Sequence, residues 1–512
     1  MSSSSDRTAY LKYCVSGPKT CICFPKTIGI DPAHNVVCLD PACSSITTDI
    51  SGQTVVADIS GQTVVADISG QTVVADISGQ TVVADISGQT VVATLDTTDG
   101  IGDAFGRIRV SNPYTLFEFN SIMGKQPLII DEDACGGAVP TDASANWISG
   151  DSYTKMAVTK SGDYVIRQSH EYIPYQPGKS KLVLMTGVLY EDPTTTANLT
   201  TRIGTFDMTI GGVYVQMENG VISVNLQKGA VPPVAAPNKI IRSEWLDPLD
   251  GTGPSGRTVD FSKAQIFLFD LEWLGVGQVR CAIVQGGEIL YYHRFTHRDT
   301  LTMPYVQMAK LPLRYEIRST GSTNSMNMIC GTVISEGGFS PIGRQFSLSM
   351  DTPDQAYDLS SNNTFYPVLS LSLRTGNPYN RGTIKIENIE VFDVASNVAG
   401  SWKLLLNPTI TYASPLVEPV WTDTDISHGS IARHRRDNGV GAITNEGHVI
   451  YHGYFYNRSL ATFISSVDEL IKATGINANI AGAPDVFVLV VNYLAGSNNT
   501  ALYCALRWIE IS

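Results

Sequence analysis

Between residues 44 and 104 the chain has no aromatic residue, and between Lys26 and Arg107 it has no lysine or arginine. A stretch without rings lacks the side chains that supply most of the area an ordinary globular core buries. One without cations offers nothing to a phosphate backbone, so no nucleic-acid partner is expected there. The whole chain is acidic, with 35 Lys+Arg against 48 Asp+Glu and a formal net charge of -13 over 512 residues. No apolar run approaches the roughly 20 residues that a membrane-spanning helix needs. The amino-terminal Met-Ser-Ser-Ser-Ser-Asp-Arg has no apolar leader. A soluble protein without membrane insertion is the expectation. Nor is there a G-x-S-x-G, an H-E-x-x-H or a P-loop, and the 8 histidines are dispersed. The chain is therefore expected to be no enzyme and to carry no metal or cofactor.

What fills the ring-free stretch is repetition. Residues 49 to 93 are five unaltered copies of Asp-Ile-Ser-Gly-Gln-Thr-Val-Val-Ala. From Thr54 to Ser60 the residues alternate, with Val55, Ala57 and Ile59 on one face and Thr54, Val56, Asp58 and Ser60 on the other, which is strand periodicity. Gly61-Gln62 then supplies a corner, since glycine accepts the positive φ that a sharp turn needs. Burying one valine or isoleucine is worth roughly 1.5 to 3 kcal/mol, whereas fixing a backbone costs on the order of 1 to 2 kcal/mol per residue. One copy cannot fold alone. Three chains winding together would bury Val55, Ala57, Ile59, Val64, Ala66, Ile68, Val73, Ala75 and Ile77 on a common axis and pair their strand edges between chains. A homotrimeric β-prism or triple β-helix shaft over residues 46–95 is the expectation, the alternative being an acidic linker without fixed structure.

Five of the 9 cysteines (Cys14, Cys21, Cys23, Cys38 and Cys43) fall in residues 1–45, read as an attachment segment. Zinc with His34, disulfides and free thiols all stay open there, because the spacings match no paired-knuckle pattern. Cys135, Cys281, Cys330 and Cys504 read as core. Asp96, Asp99 and Asp103 resemble a loose cation loop but lack the alternating carboxylates of an EF-hand. From Phe105 onward short apolar or alternating runs dominate, broken by Gly, Pro and Asn. Hairpins are predicted around Asn219-Gly220 and Gly286-Gly287. Strands are predicted at Lys181 to Tyr190, Ile266 to Trp273, Lys385 to Val394, Asp485 to Leu494 and Leu502 to Ile511. One short helix is predicted at Val467 to Thr474, with Ser466 and Glu469 as its capping box and Gly475 as its stop. The fold class is thus all-β: sandwich-like, jelly-roll-like head modules divided as 96–395 and 396–512, with a compositional change at Ala395 to Ser401.

Several longer stretches stand out in the head: Phe105-Gly-Arg-Ile-Arg-Val-Ser-Asn-Pro113, Tyr175-Gln-Pro-Gly-Lys-Ser180, Arg202-Ile-Gly204, Asp250-Gly-Thr-Gly-Pro-Ser-Gly256, Glu272-Trp-Leu-Gly-Val-Gly277, Leu311-Pro-Leu-Arg-Tyr-Glu-Ile317 and Thr332-Val-Ile-Ser-Glu-Gly-Gly338. With the Ser-Gly-Gln-Thr-Val repeats, they resemble a family of virion proteins of tailed phages and large DNA viruses, described as tail-fibre, spike or structural proteins. The resemblance spans residues 100 to 340, with a weaker echo at Pro484 to Val491 and Ala505 to Glu510. It implies a virion component; contact with other virion proteins through the amino-terminal segment, which lies outside the resemblance, is the expectation of the fibre reading. Read physically, residues 250 to 256 form a structural corner, Trp273 anchors a core, and Arg314 and Glu316 share a strand face and pair with neighbours.

For contact with a host-surface glycan or receptor, the segment Trp421-Thr-Asp-Thr-Asp-Ile-Ser-His428 offers an aromatic face, two carboxylates (Asp423 and Asp425) and an imidazole. His434, Arg435 and Arg436 add a basic patch in an acidic chain. A solvated loop is the competing reading of both. Three functions follow: a trimeric fibre or spike whose head meets a host surface, a vertex, collar or decoration protein without a receptor role, and a polysaccharide depolymerase.

Overall fold

The computed structural model describes residues 113–135, 143–229, 238–297, 299–339, 343–350, 364–394, 398–412, 418–437, 441–456, 461–464, 474–495 and 502–511, together with the backbone of short strands between 30 and 85. The chain forms two compact units, Met1–Asp96 and Thr97–Ser512.

In the first unit the repeats become strands: Val55–Asp58, Thr63–Asp67, Val73–Asp76 and Val82–Asp85, preceded by Ser45–Asp49. Each pairs in parallel with the strand two copies away. Val55 lies opposite Val73 and Ala57 opposite Ala75, while Val64 lies opposite Val82. Two nine-residue units therefore make one coil, and successive strands belong to alternate ladders. In place of the expected edge pairing between sister chains, these strands pair with strands of the same chain. Ile59, Ile68 and Ile77, the amino-terminal cysteines and the Asp96 to Asp103 loop lie outside the described residues.

The second unit holds two sandwiches. In the first, an eight-stranded sheet runs in the order Ser144–Ile148, Tyr153–Val158, Asn324–Glu336, Ser180–Val188, Gln265–Leu271, Val279–Gln285 and Glu288–Phe295, and Pro113–Asn120 also pairs with Asn324–Glu336. A seven-stranded sheet runs Asn238–Ile241, Val221–Gln227, Gly211–Glu218, Leu199–Asp207, Leu313–Ser319, Tyr164–Ser169 and Ile130–Cys135. Both predicted hairpins form. Asn219 and Gly220 take φ of 51° and 81°, and Gly286 and Gly287 take 62° and 86°, the positive pair that a tight two-residue loop requires.

Period-two alternation builds this core. Leu313, Tyr315 and Ile317 point into it, which turns Arg314, Glu316 and Arg318 to the other face. There Glu316 is wholly buried, 2.6 Å from Arg314 Nη2 and 2.7 Å from Arg202 Nη1, and Arg318 also donates to it. Burial would raise the Glu316 carboxyl, but the three guanidiniums outweigh it and hold it at about 2. Arg202-Ile-Gly204 and Leu311 to Ile317 thus meet on adjacent strands, as the shared strand face suggested. Trp273 packs against the same core, and Asp250 caps its own loop by accepting from Thr252 N at 2.9 Å.

The second sandwich begins at Arg344. Its four-stranded sheet runs Arg344–Ser349, Leu502–Ile511, Thr383–Asp393 and Ala461–Ile464. Its six-stranded sheet runs Thr422–Asp423, Ala432–Arg436, Tyr366–Leu373, Val486–Ala495, Ala399–Leu406 and His448–Tyr456. A separate core built on Leu371, Ile389, Leu404, Leu489 and Trp508 lies between them. The compositional change at Ala395 to Ser401 is therefore a crossover from one sheet to the other, and the two sandwiches meet near residue 340. Short small-residue crossovers and interdomain linkers look alike in composition. Among the described residues there is no α-helix, only three 3₁₀ turns. The predicted helix at Val467 to Thr474 lies, save for Thr474, outside them. Cys281 and Cys504 are buried as expected, but Cys135 is exposed at the end of an edge strand.

Charged side chains join the sandwiches. His170 Nδ1 lies 2.8 Å from Asp131 Oδ1 and its Nε2 lies 2.6 Å from Asp485 Oδ2. Arg381 Nη2 sits 3.0 Å from Asp207 Oδ2 and its guanidinium covers the Tyr172 ring. The wholly buried Lys310 donates to Thr383 Oγ1 at 3.0 Å and to the Ile511 carbonyl.

Candidate functional site

The six-stranded sheet has two faces set by alternation. Leu369, Leu371, Leu404, Phe487 and Leu489 point inward to the core. On the outer face, register aligns Asp423, Arg433 and Ser372, then Arg435, Ser370 and Val488, and further across the sheet Val490, Lys403 and His452. The middle of this face is closed by the strand pair Thr409–Thr411 and Ala442–Asn445, whose Ile410 and Ile443 cover Leu405, Val488 and Val490. Two patches remain, one at each edge.

At the first, the half-buried Trp421 ring lies under two guanidiniums, with Arg433 Cζ 4.6 Å and Arg435 Cζ 4.9 Å from its centroid. Arg435 Nε sits 2.6 Å from Asp437 Oδ1, and its Nη1 pairs with Glu418. Tyr412 OH donates to the same Asp437 at 3.3 Å and Ser370 Oγ donates at 2.5 Å. Burial holds the Asp437 carboxyl above the usual carboxylate range against the pull of Arg435, Ser370 and Tyr412. Asp423 pairs with Arg374 Nε at 3.1 Å.

The structure thus brings Trp421, Asp423 and Arg435 together and sends the other candidates elsewhere. His434 and Arg436 alternate to the opposite face, opposite Leu371 and Leu369, where His434 Nδ1 meets Thr424 Oγ1 at 2.8 Å and Arg436 donates to the Ser349 carbonyl. Burial, then Arg436, lowers the His434 imidazole. Asp425 and His428 form an exposed 2.7 Å pair around the turn Ile426–His428, a local loop closure apart from the Trp421 cluster. Three consecutive basic residues on a strand cannot share one surface.

At the other edge, about 19 Å away across four strand spacings, the outermost strand His448–Tyr456 presents His452, Tyr454 and Tyr456. Tyr454 and Tyr456 are 71% and 59% exposed, whereas Phe455 between them is buried. Nearby, Lys403 Nζ lies 2.7 Å from Glu446 Oε1 and 4.3 Å from the Phe365 ring centroid. Tyr454 and Tyr456 thus present exposed aromatic area and hydroxyls, a surface suited to the C–H faces of pyranose rings. Sequence reading missed them. Consecutive aromatics in His448-Val-Ile-Tyr-His-Gly-Tyr-Phe-Tyr456 carried the signal, because neighbours on a strand take opposite faces, so Tyr454 and Tyr456 share one face and Phe455 takes the other. Arg433 was missed as well. Among the described residues no group of three or more His, Cys, Asp or Glu could hold a metal ion.

No family model and no curated protein matches the chain. Solved structures do. An endo-1,3-β-glucanase from Streptomyces sioyaensis is similar at 9% identity over 49% of this chain and 100% of its own, with a TM-score of 0.30. A conserved carbohydrate esterase from Shiga toxin-encoding bacteriophage phi24B is similar at 13% identity over 44% and 99%, with a TM-score of 0.27. A legume lectin-like domain from Entamoeba histolytica is similar at 8% identity over 43% and 97%, with a TM-score of 0.25. The expectation that the chain is no enzyme is corrected here: enzymes stand among these similar structures, and missing motifs do not exclude one when catalytic groups converge only in space. At these identities and TM-scores the likenesses assign neither substrate nor reaction to this chain.

Proposed function

We propose that the chain is a fibre or spike component of a virus particle, fixed by its amino-terminal segment, whose second unit meets a saccharide or other receptor on a host surface. The observation that carries the contact is the open row of Tyr454 and Tyr456 on the same sheet face as the Trp421 cluster. Large rings left in solvent on a rigid strand, beside charged side chains, are a feature of binding surfaces. The two patches are shallow, so single-site affinity is weak and multivalency raises it.

A homotrimer supplies that multivalency. The alternation that turns Val55 and Ala57 one way turns Val56 the other, so each copy keeps an apolar residue on both strand faces after the chain has coiled on itself. Sister copies would cover the second column. A glycan array probed with the full chain, with light scattering in the same buffer, tests this reading. It expects saccharide-specific binding and a mass three times that of one chain; a folded monomer that binds no glycan contradicts it.

A further inference from the structure

We infer that the Trp421 patch selects an acidic saccharide, one bearing a carboxylate or sulfate, through Arg433. This rests on the reading that the outer sheet face binds saccharide, and names the class.

Three guanidiniums and three carboxylates surround the patch, and their pairing is uneven. Glu418 and Asp437 are both committed to Arg435. Asp423 is committed to Arg374, whose Nη1 also reaches the Ser430 carbonyl. Arg433 is left over. It sits half-buried against Trp421 with its Nε enclosed and without a hydrogen-bond acceptor. A guanidinium carries five donors in a planar fork, and here one of them, the enclosed Nε, goes unmet, which is costly away from bulk water. Stacking on the indole satisfies the face of the ion but none of its N–H groups. Burial already pulls its basicity down, with only Asp423 opposing. An incoming anionic oxygen pair would accept two parallel N–H bonds from the Nη groups of Arg433. Lysine could not reproduce that fork, so the geometry calls for arginine.

The test uses the full chain against polygalacturonate, its carboxyl-reduced neutral form and dextran sulfate, with affinity read by titration calorimetry. Wild type should bind at least one acidic polymer roughly tenfold or more tighter than the neutral one, and preference between the two acids separates carboxylate from sulfate. Arg433→Ala should abolish the acidic preference, Arg433→Lys should restore part of it, and Asp423→Asn should strengthen it by removing a nearby carboxylate. Unchanged melting confirms folding. Equal binding of acidic and neutral polymers, or an acidic preference that survives Arg433→Ala, overturns the inference while the saccharide reading stands. Binding of no polymer by folded chain, with no hit on a glycan array, overturns both.

Discussion

His170 and Asp485 belong to different sandwiches, yet His170 Nε2 lies 2.6 Å from Asp485 Oδ2, and Asp131 holds the other ring nitrogen. Burial opposes the imidazolium, but the two carboxylates outweigh it and raise it from 6.5 to about 10. A value raised in the folded state contributes stability that is complete below about 6.5 and is lost as pH rises through about 10. Asp485→Ala removes one of the two carboxylates on His170 and the acceptor of Asn407 Nδ2 and Asn477 N, and should cost about 3 kcal/mol. Urea melts from pH 6 to 10 should show wild type weakening at the alkaline end and the variant nearly flat; parallel curves would remove His170 from the joint.

Acid titration probes the other sandwich. The Glu316 carboxyl, lowered to about 2 by Arg314, Arg202 and Arg318 against its burial, contributes above about 4.5 and is lost as pH falls through about 2. Glu316→Ala leaves three cations facing one another, two of them well buried, and should destabilise by roughly 3 to 5 kcal/mol. Circular dichroism melts between pH 2 and 7 measure it, and an intact variant melting like wild type would contradict the pairing.

Tyr454→Ala and Tyr456→Ala should barely touch stability, since exposed substitutions usually stay within about 0.5 kcal/mol. Each should weaken saccharide binding by roughly tenfold, about 1.4 kcal/mol. Surface plasmon resonance alongside thermal melting separates the two effects; a large fall in melting temperature would mark the rings as structural instead.

Hairpins and core strands were legible because Asn219-Gly220 and Gly286-Gly287 encode their own turn geometry and Leu313, Tyr315 and Ile317 keep strict period two. The Arg314 and Glu316 pairing followed from the same alternation. The candidate site was legible only in part. Periodicity says which residues share a strand face, so it should have parted His434 and Arg436 from Arg435. It does not say which strand becomes the sheet edge or which face turns outward, and both together expose Tyr454 and Tyr456 while Phe455 of the same strand stays buried. Nor does one strand's sequence reveal that Asp423 goes to Arg374 and leaves Arg433 behind. The coil of two copies was missed because local burial arithmetic treats each copy alone, whereas pairing at a separation of 18 residues lets one chain close its own ladders.

Deleting residues 49 to 93 should shorten the molecule and leave the main melting transition of the second unit unchanged, as the division at Asp96 implies. Loss of that transition would contradict the modularity. Replacing Val56, Val65 and Val74 with Asp should convert trimers to monomers or aggregates on analytical ultracentrifugation, and trimers of normal thermal stability would count against a buried apolar column.

The outer face of the six-stranded sheet is the surface proposed to hold sugar. Saturation-transfer NMR of the full chain with a defined saccharide mixture, run in parallel on a Tyr454→Ala, Tyr456→Ala double variant, addresses that directly. The predicted result is transfer to ring C–H protons of at least one saccharide, with the signal lost in a variant that melts like wild type. Equal transfer in both proteins, or none in the folded wild-type chain, would contradict it.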